Sequence, residues 1–339
     1  MAKFYPKLKA AVVQAAPVFL DLDKSVEKAI RLIDEAGSNG AKIIAFPESF
    51  LPAYPWWIYL GDPTVYGMPF YKEFFKNSLE LPSVEAKRLG EAARRNNMYV
   101  CMSATVVEGA SLCLAQIWFD TLGNIIGIHK KTRPTNAERT VWAEGDGSTM
   151  PVFKTEIGNL GGLLCWENFM PANQLAMAGQ NEQVHVASWP AGSMEDDHIF
   201  SRQACLRTSQ QYAEVTGTFV LCASQPYTAE MREKLAGDDQ YKFDFLPLGG
   251  AHSAIFDPMG RCLTPSLAPD EEGILYADIN LEEIIEAKYF FDPAGHYSKG
   301  SVVSVTLNKK NQAGVQIIGK DADTSIPFED LVEDPTNIN

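Results

Sequence analysis

Three residues of unlike chemistry each close an apolar run in this chain. "IIAFPE" delivers Glu48, "IIGIHKK" delivers Lys131 and "LGGLLC" delivers Cys165. A charged residue at a strand end is ordinarily a solvated edge, and a free cysteine is ordinarily a small core residue. Three different reactive groups at three such ends are harder to dismiss, because α/β sheets gather their sites where strand C-termini open into loops. The chemistry is also mutually consistent. A thiol attacks as its thiolate, and an unperturbed cysteine with a pKa of about 8.5 is mostly protonated at neutral pH. Glu48 has the chemistry to take that proton, and a lysine to hold the negative charge that develops as a carbon becomes tetrahedral. Directly after the thiol, Trp166, Glu167, Asn168 and Pro171 crowd polar and aromatic groups around it.

Strands and helices alternate around these three points. "KAAVVQAAP" reads as a strand, "SVEKAIRLIDEAGSNG" as a helix with Val26, Ala29, Ile30 and Ile33 on one face, and "AKIIAFPE" as a strand broken at Pro47. "SVEAKRLGEAARRNN" is a second amphipathic helix and "MYVCMSATVVEG" a strand; "LCLAQIWFDTLGNIIGIHKK" is a hairpin turned at Leu122-Gly123-Asn124. "NLGGLLCWE" and "QVHVASWP" are strands around a helical "ANQLAMAGQNE". A helix over 200–217 leads to the strands "TFVLCASQ" and "HSAIFDPMGRCL". This order predicts an α/β sheet system. Gly161 and Gly162 leave room behind their strand or admit a close helix, and "GNLGG" lacks the spacing of a nucleotide loop.

Composition narrows the function classes. With 339 residues, 46% of them hydrophobic, the chain can bury a large core. Its 29 basic and 43 acidic residues leave a formal charge of -14, which repels phosphate backbones and argues against a nucleic-acid partner. No apolar run reaches the ~18 residues of a membrane span, and the N-terminal segment lacks a secretory apolar region, so a soluble, cytoplasmic protein is expected. Six scattered cysteines form no C-x-x-C pair, and five dispersed histidines show no ligand spacing, so no metal is expected. No shift in composition marks a linker. One domain over 1–307 is expected, followed by a polar, acidic tail over 308–339. Within "VVSVTLNKKNQAGVQIIGK", Val302–Leu307 and Val315–Ile318 are β-rich runs, suited either to an intrachain hairpin or to an arm on a neighbouring subunit.

"FPESFLPAYPWW", "HKKTRPTNAERTVWAEGDG" and "CWENFMP" together resemble the three catalytic blocks of the nitrilase superfamily, in its nitrilase branch, with likeness to arylacetonitrilases and cyanide-hydrolysing members. The similarity runs over roughly residues 8–300. It implies a four-layer αββα sandwich and dimers that extend into helical assemblies. It also implies a cofactor-free hydrolysis of a small-molecule nitrile to acid and ammonia through a covalent thioimidate and thioester. Cys165 would be the nucleophile, Glu48 the general base, Lys131 rather than Lys130 the charge-stabilising lysine, and Glu138 a second carboxylate positioning it. Two departures stand out. Many microbial members carry histidine where this chain has Asn168, whereas plant-like members carry asparagine, and "GHYS" continues here as "KGS" where the family often has "RPD".

Tyr54, Trp57, Trp142, Trp166 and Trp189, with Asn168, are the candidate substrate-binding residues. Such aromatics suit an apolar pocket for an arylacetonitrile or another uncharged nitrile. A cyanide hydratase or dihydratase, or an amidase of the same superfamily, is the alternative. A non-catalytic assembly protein would have no need of the Glu48, Lys131 and Cys165 set.

Overall fold

The computed structural model describes residues 5–195, 198–311 and 324–331. The chain opens with β1 (Lys7–Gln14), α1 (Leu22–Ser38) and β2 (Ala41–Ala45), then α2 (Met68–Lys76) and α3 (Val84–Arg95). Three antiparallel neighbours follow, β3 (Tyr99–Glu108), β4 (Ser111–Phe119) and β5 (Ile125–Lys130). Next come β6 (Phe153–Thr155), β7 (Gly158–Leu164), α4 (Pro171–Gly179), β8 (Val184–Trp189), α5 (Arg202–Thr216) and β9 (Phe219–Ser224). The described chain continues through α6 (Ala229–Ala236), α7 (Gln240–Phe245), β10 (Ala254–Phe256), β11 (Gly273–Asn280) and α8 (Glu283–Phe290).

The strands form one connected ladder that is physically two sheets. In one, β11 and β2 flank β1, with β3, β4 and β5 beyond. In the other, β7, β8 and β9 run parallel, edged by β6 and β10. Among the described strands, the ladder passes between the halves where Gln14 pairs with Ser224. Strand alternation assigns the faces. Ala10 and Val12 of β1, Val184 and Val186 of β8, and Phe219 and Leu221 of β9 meet in a core between the sheets. Ala11 and Val13 instead face α1 and α3, while Val220, Cys222 and Ala187 face α4 and α5. The order is therefore helices, sheet, sheet, helices: the four-layer αββα sandwich.

Local signals place the outer helices. Asp21 caps α1 by accepting from the Lys24 amide, and Ser83 caps α3 by accepting from that of Ala86. Val26, Ala29, Ile33 and Ala36 form the buried stripe of α1, each large side chain contributing about 1.5–3 kcal/mol through burial. The glycine pair serves both expected purposes. A Cβ on Gly161 would stand 2.2 Å from Glu182 Oε1 and 2.8 Å from Met177 Cε on the helix side. One on Gly162 would stand 2.4 Å from Gln116 Oε1 and 2.7 Å from the Val186 carbonyl, between the sheets.

Several elements lie outside the sequence reading: α2, α6, α7, α8, β6 and β11. β11 does alternate, burying Leu275, Ala277 and Ile279, whereas α8 breaks its period and leaves Ile285, Tyr289 and Phe290 exposed. The run Val302–Leu307 forms no strand, contrary to its β-rich composition, and Val315–Ile318 lies outside the described residues. Further on, Ile326 bridges Ile125, Phe328 N donates to Asn124 Oδ1 and Leu331 is buried beside α1 and α3.

Candidate active site

Cys165 follows β7 directly and opens a 3-10 turn over Cys165–Phe169. Its φ of +50° is the left-handed region, which costs a non-glycine residue about 1–3 kcal/mol unless neighbours over-determine it. The next residues do so. Glu167 turns back so that Leu164 N donates to its Oε2 at 3.1 Å. Asn168 Nδ2 donates to the carbonyls of Cys165 at 2.8 Å and Leu163 at 3.3 Å. The thiol is thus held on a sharp bend at the C-terminal rim of the parallel strands.

Three other loops converge on it. Glu48 lies past β2, its N–H donating to Trp189 O and its carbonyl accepting from Gln225 Nε2. Lys131 extends β5 by donating its N–H to Leu114 O. Strand alternation turns Lys131 inward and Lys130 outward, where Lys130 pairs with exposed Glu108. Glu138 sits in the turn Asn136–Thr140 and accepts from Thr135 N at 2.6 Å. Inside, Lys131 Nζ donates to Glu48 Oε1 at 2.9 Å and to Glu138 Oε2 at 2.7 Å, and Tyr54 OH donates to Glu138 Oε1 at 2.7 Å. Cys165 Sγ and one carboxylate oxygen each of Glu48 and Glu138 lie within 4.8 Å of one another. Glu48 Oε2 is buried and has no partner. A thiol and two carboxylates are a donor set for a cation, but the Lys131 ammonium already bridges both carboxylates, so the set does not fit a metal.

Burial governs the protonation of this cluster. It pushes the Glu48 carboxyl up to about 8; Lys131 opposes the rise and Glu138 adds to it. Burial, reinforced by the Glu48 charge, also lifts the Cys165 thiol well above its ordinary value. For Lys131, burial favours the neutral amine, but Glu138 and Glu48 outweigh it and hold the ammonium firmly charged. The resting cluster therefore keeps a protonated thiol beside a carboxyl whose own proton affinity burial has raised.

Two polar assemblies lie behind the thiol, one around Glu167 and one running from Asn168 to His185 and Glu182. Glu167 accepts from Leu164 N, from Thr132 N and Oγ1 at 2.8 and 2.5 Å, and from His129 Nε2 at 2.8 Å. It ties the residue before Cys165 to the residue after Lys131. His129 Nδ1 faces the Thr149 carbonyl at 2.8 Å, so both ring nitrogens meet acceptors and the ring must be an imidazolium. On the other side, Asn168 Oδ1 meets His185 Nε2 at 2.7 Å, and Glu182 receives His185 Nδ1 and Tyr212 OH. Glu167 stood visibly beside the thiol in the sequence; nothing local signalled His129, Glu182 or His185.

The aromatic candidates do not form one pocket. Tyr54, Trp57 and Trp142 pack together with Phe74 and Leu114, Trp142 Nε1 donating to Thr105 Oγ1. Trp166 and Trp189 lie in the separate cluster against α5, where Trp189 Nε1 donates to Ser209 Oγ. Asn168 Nδ2 donates to the Leu163 and Cys165 carbonyls and its Oδ1 meets His185 Nε2, so its amide is engaged by protein behind the bend. The sequence reading also omitted Tyr59 and Tyr227 from the site. Trp56 packs 4.4 Å from the Tyr54 ring and 4.2 Å from that of Tyr227, and Tyr59 OH lies 3.2 Å from Tyr54 OH. A surface cleft of about 180 Å³ opens beside Trp57, Met68, Tyr71, Thr140 and Val141.

A buried thiol thus stands on a strand-to-turn bend beside a lysine shared by two carboxylates, in a four-layer sandwich. Residues 9–289 match the carbon-nitrogen hydrolase family, and the chain belongs to that family. It is similar to a nitrilase from Bacillus sp. (strain OxB-1), 47% identical over 96% of each chain. It is likewise similar to an aliphatic nitrilase from Rhodococcus rhodochrous, 40% identical over 98% of this chain and 87% of that one. Among solved structures, an amidase from Nesterenkonia sp. AN1 in complex with acrylamide shares the fold, with a TM-score of 0.62 at 17% identity, covering 82% of this chain and 93% of the other.

Proposed function

We propose that the protein hydrolyses an uncharged organic nitrile to the carboxylic acid and ammonia, with Cys165 as nucleophile. The observation that carries this reading is the free, buried Glu48 Oε2 in the same cluster as a protonated thiol and a lysine fixed by two carboxylates. Glu48 takes the thiol proton as sulfur attacks the nitrile carbon and passes it to nitrogen, giving a thioimidate. Burial raises the proton affinity of Glu48, which makes its carboxylate a stronger base once ionised. Water adds to the thioimidate, and the Lys131 ammonium, held in place by Glu138, offsets negative charge in the tetrahedral adducts. Ammonia leaves, and a second water releases the acid from the thioester and restores the thiol. No cofactor enters this sequence.

Full-length similarity to nitrilases supports the nitrile over an amide as substrate. Tyr54, Trp57 and Trp142 supply an apolar wall on one side of the cluster, and Trp166 is the aromatic next to the thiol. Ammonia release from a nitrile panel, set against matched amides, tests the reading, with intact mass during turnover reporting an adduct on Cys165. Amide turnover faster than that of every nitrile, cyanide included, would move the protein to the amidases. On the same reading residues 1–307 form one hydrolase domain with 308–339 as its tail, and the enzyme works in the cytoplasm as dimers that extend into helical assemblies. Exposed Tyr289, Phe290, Tyr297 and Val302 are apolar surface suited to such contacts, and light scattering tests it.

A further inference from the structure

A continuous chain of hydrogen bonds runs from the partly exposed Tyr59 to the general base. Tyr59, 37% exposed, places its hydroxyl 3.2 Å from that of Tyr54. Tyr54 OH reaches Glu138 Oε1 at 2.7 Å, Glu138 Oε2 meets Lys131 Nζ at 2.7 Å, and Lys131 Nζ meets Glu48 Oε1 at 2.9 Å. Tyr54 OH donates to Glu138 Oε1, so the Tyr54 oxygen is free to accept from Tyr59. Every donor in the outer part of the chain therefore points inward. Trp56 covers Tyr54 at 4.4 Å, and Tyr54 is buried, so bulk water does not take its place. Burial keeps both phenols protonated, Tyr54 far above its ordinary value and Tyr59 also raised, so protons move along them by hand-over rather than by ionisation.

We propose that Tyr59 and Tyr54 form a proton path between solvent and the Glu138–Lys131–Glu48 cluster. The need for one follows from the proposed nitrile chemistry, on which this inference rests. Hydrolysis consumes no net proton when it yields carboxylate and ammonium, but its two halves are separated in time. The tetrahedral adduct breaks its carbon–nitrogen bond while its hydroxyl proton passes to nitrogen, leaving thioester and ammonia. Ammonia departs as ammonium only by taking one further proton from outside. The second water then cleaves the carbon–sulfur bond, regenerating the thiol and an acid that gives one proton back on ionising. With the nitrogen leaving as ammonium, the buried cluster draws one proton from solvent and later returns it. In each hand-over solvent gives Tyr59 a proton as Tyr59 passes its own to Tyr54 and Tyr54 passes one to Glu138, while Lys131 gives one to Glu48 and regains one from Glu138; the return runs through the same atoms after both hydroxyls have turned outward.

Tyr59→Phe and Tyr54→Phe test the path, each keeping the ring and removing one hydroxyl. With the best nitrile of the wild-type panel, Tyr59→Phe should lower kcat by about tenfold, less than the ~100-fold or more of losing a direct acid or base, with KM and melting temperature unchanged. Imidazole in the assay should restore most of that loss while leaving the wild type unaffected, because a diffusible acid can reach the outer end of the path. Tyr54→Phe should lose more and resist rescue, since its gap is buried. The solvent deuterium isotope effect on kcat should rise in Tyr59→Phe. An unchanged kcat in Tyr59→Phe would overturn the proposal, as would a loss that imidazole leaves untouched or equal rescue of both variants. Wild-type inactivity on every nitrile would instead strike the substrate assignment, which these variants do not address.

Discussion

Replacing Glu167 with glutamine changes one oxygen for an amide nitrogen in a buried position where the carboxylate takes four hydrogen bonds. The glutamine oxygen can still accept from Thr132. Its NH2 group then faces the N–H of Leu164 and the protonated Nε2 of His129, donor against donor. Breaking a buried ion pair by removing one partner typically costs about 3–5 kcal/mol. For a chain of this size a loss of that order lowers the melting temperature by roughly 5–10 °C, taking about 2 °C per kcal/mol. The pH dependence is the sharper test. Burial opposes the charge on His129, but Glu167 overcomes it and raises the pKa above 6.5. That contribution is complete below the unfolded value and is lost as pH rises through the raised folded value. Burial likewise opposes ionisation of Glu167, but His129 and Thr132 overcome it and lower the pKa below 4.5. That contribution is present above the unfolded value and is lost as pH falls through the lowered folded one. The gap in melting temperature between wild type and Glu167→Gln should therefore be widest between pH 4.5 and 6.5 and narrow toward alkaline pH. Differential scanning fluorimetry across pH 4–9 reads it directly. A gap that stays flat across that range, or one under about 1 kcal/mol, would refute the charged-pair reasoning.

Cys165→Ala should abolish nitrile turnover while shifting stability by only ~1 kcal/mol, as read by ammonia release and circular dichroism. Substantial residual hydrolysis would remove Cys165 as nucleophile. In the wild type, kcat/KM should rise with pH toward a plateau above about 8, because Glu48 must be ionised to accept the proton and burial holds its pKa there. Glu48→Gln should lose both the activity and that limb, and Lys131→Arg should fail because a planar guanidinium does not fit between two carboxylates spaced for an ammonium. Retention of more than about a tenth of wild-type rate, a penalty under ~1.4 kcal/mol, would mean that role is misassigned. Gly162→Ala should destabilise the sandwich by about 1–3 kcal/mol, since its Cβ meets a backbone carbonyl between the sheets; an unchanged melting curve would count against that packing.

Much of the scaffold was legible because it is written in local periods. Val26, Ala29 and Ile33 recur at helical spacing, and they bury the face of α1 that the spacing selects. The hairpin of β4 and β5 turns where Leu122-Gly123-Asn124 interrupts two apolar runs. Glu48, Lys131 and Cys165 drew notice because each ends such a run, and a residue that breaks a strong local pattern is visible without any contact map. The four layers were a different matter. Alternation of strands and helices is equally compatible with a single open sheet, and only the resemblance implied two.

What the tertiary structure decided is everything that depends on contacts between distant segments. Glu48 and Lys131 are 83 residues apart, and no period in either segment announces that their side chains will meet. Glu138 looks like a surface residue in "TNAERT" until the turn that holds it is folded over Lys131. Trp142 and Trp189 are alike in being large and apolar, yet Trp142 follows the turn Asn136–Thr140 and Trp189 ends β8, and they pack into different clusters. His129 carries no mark of its charge in the sequence; that charge follows from the two acceptors the fold sets at its ring nitrogens. Hydrophobic patterning is a property of neighbours along the chain, so the sequence determines which residues turn inward. Protonation, pairing and reactivity belong to neighbours in space, and those exist only once the sheets have packed.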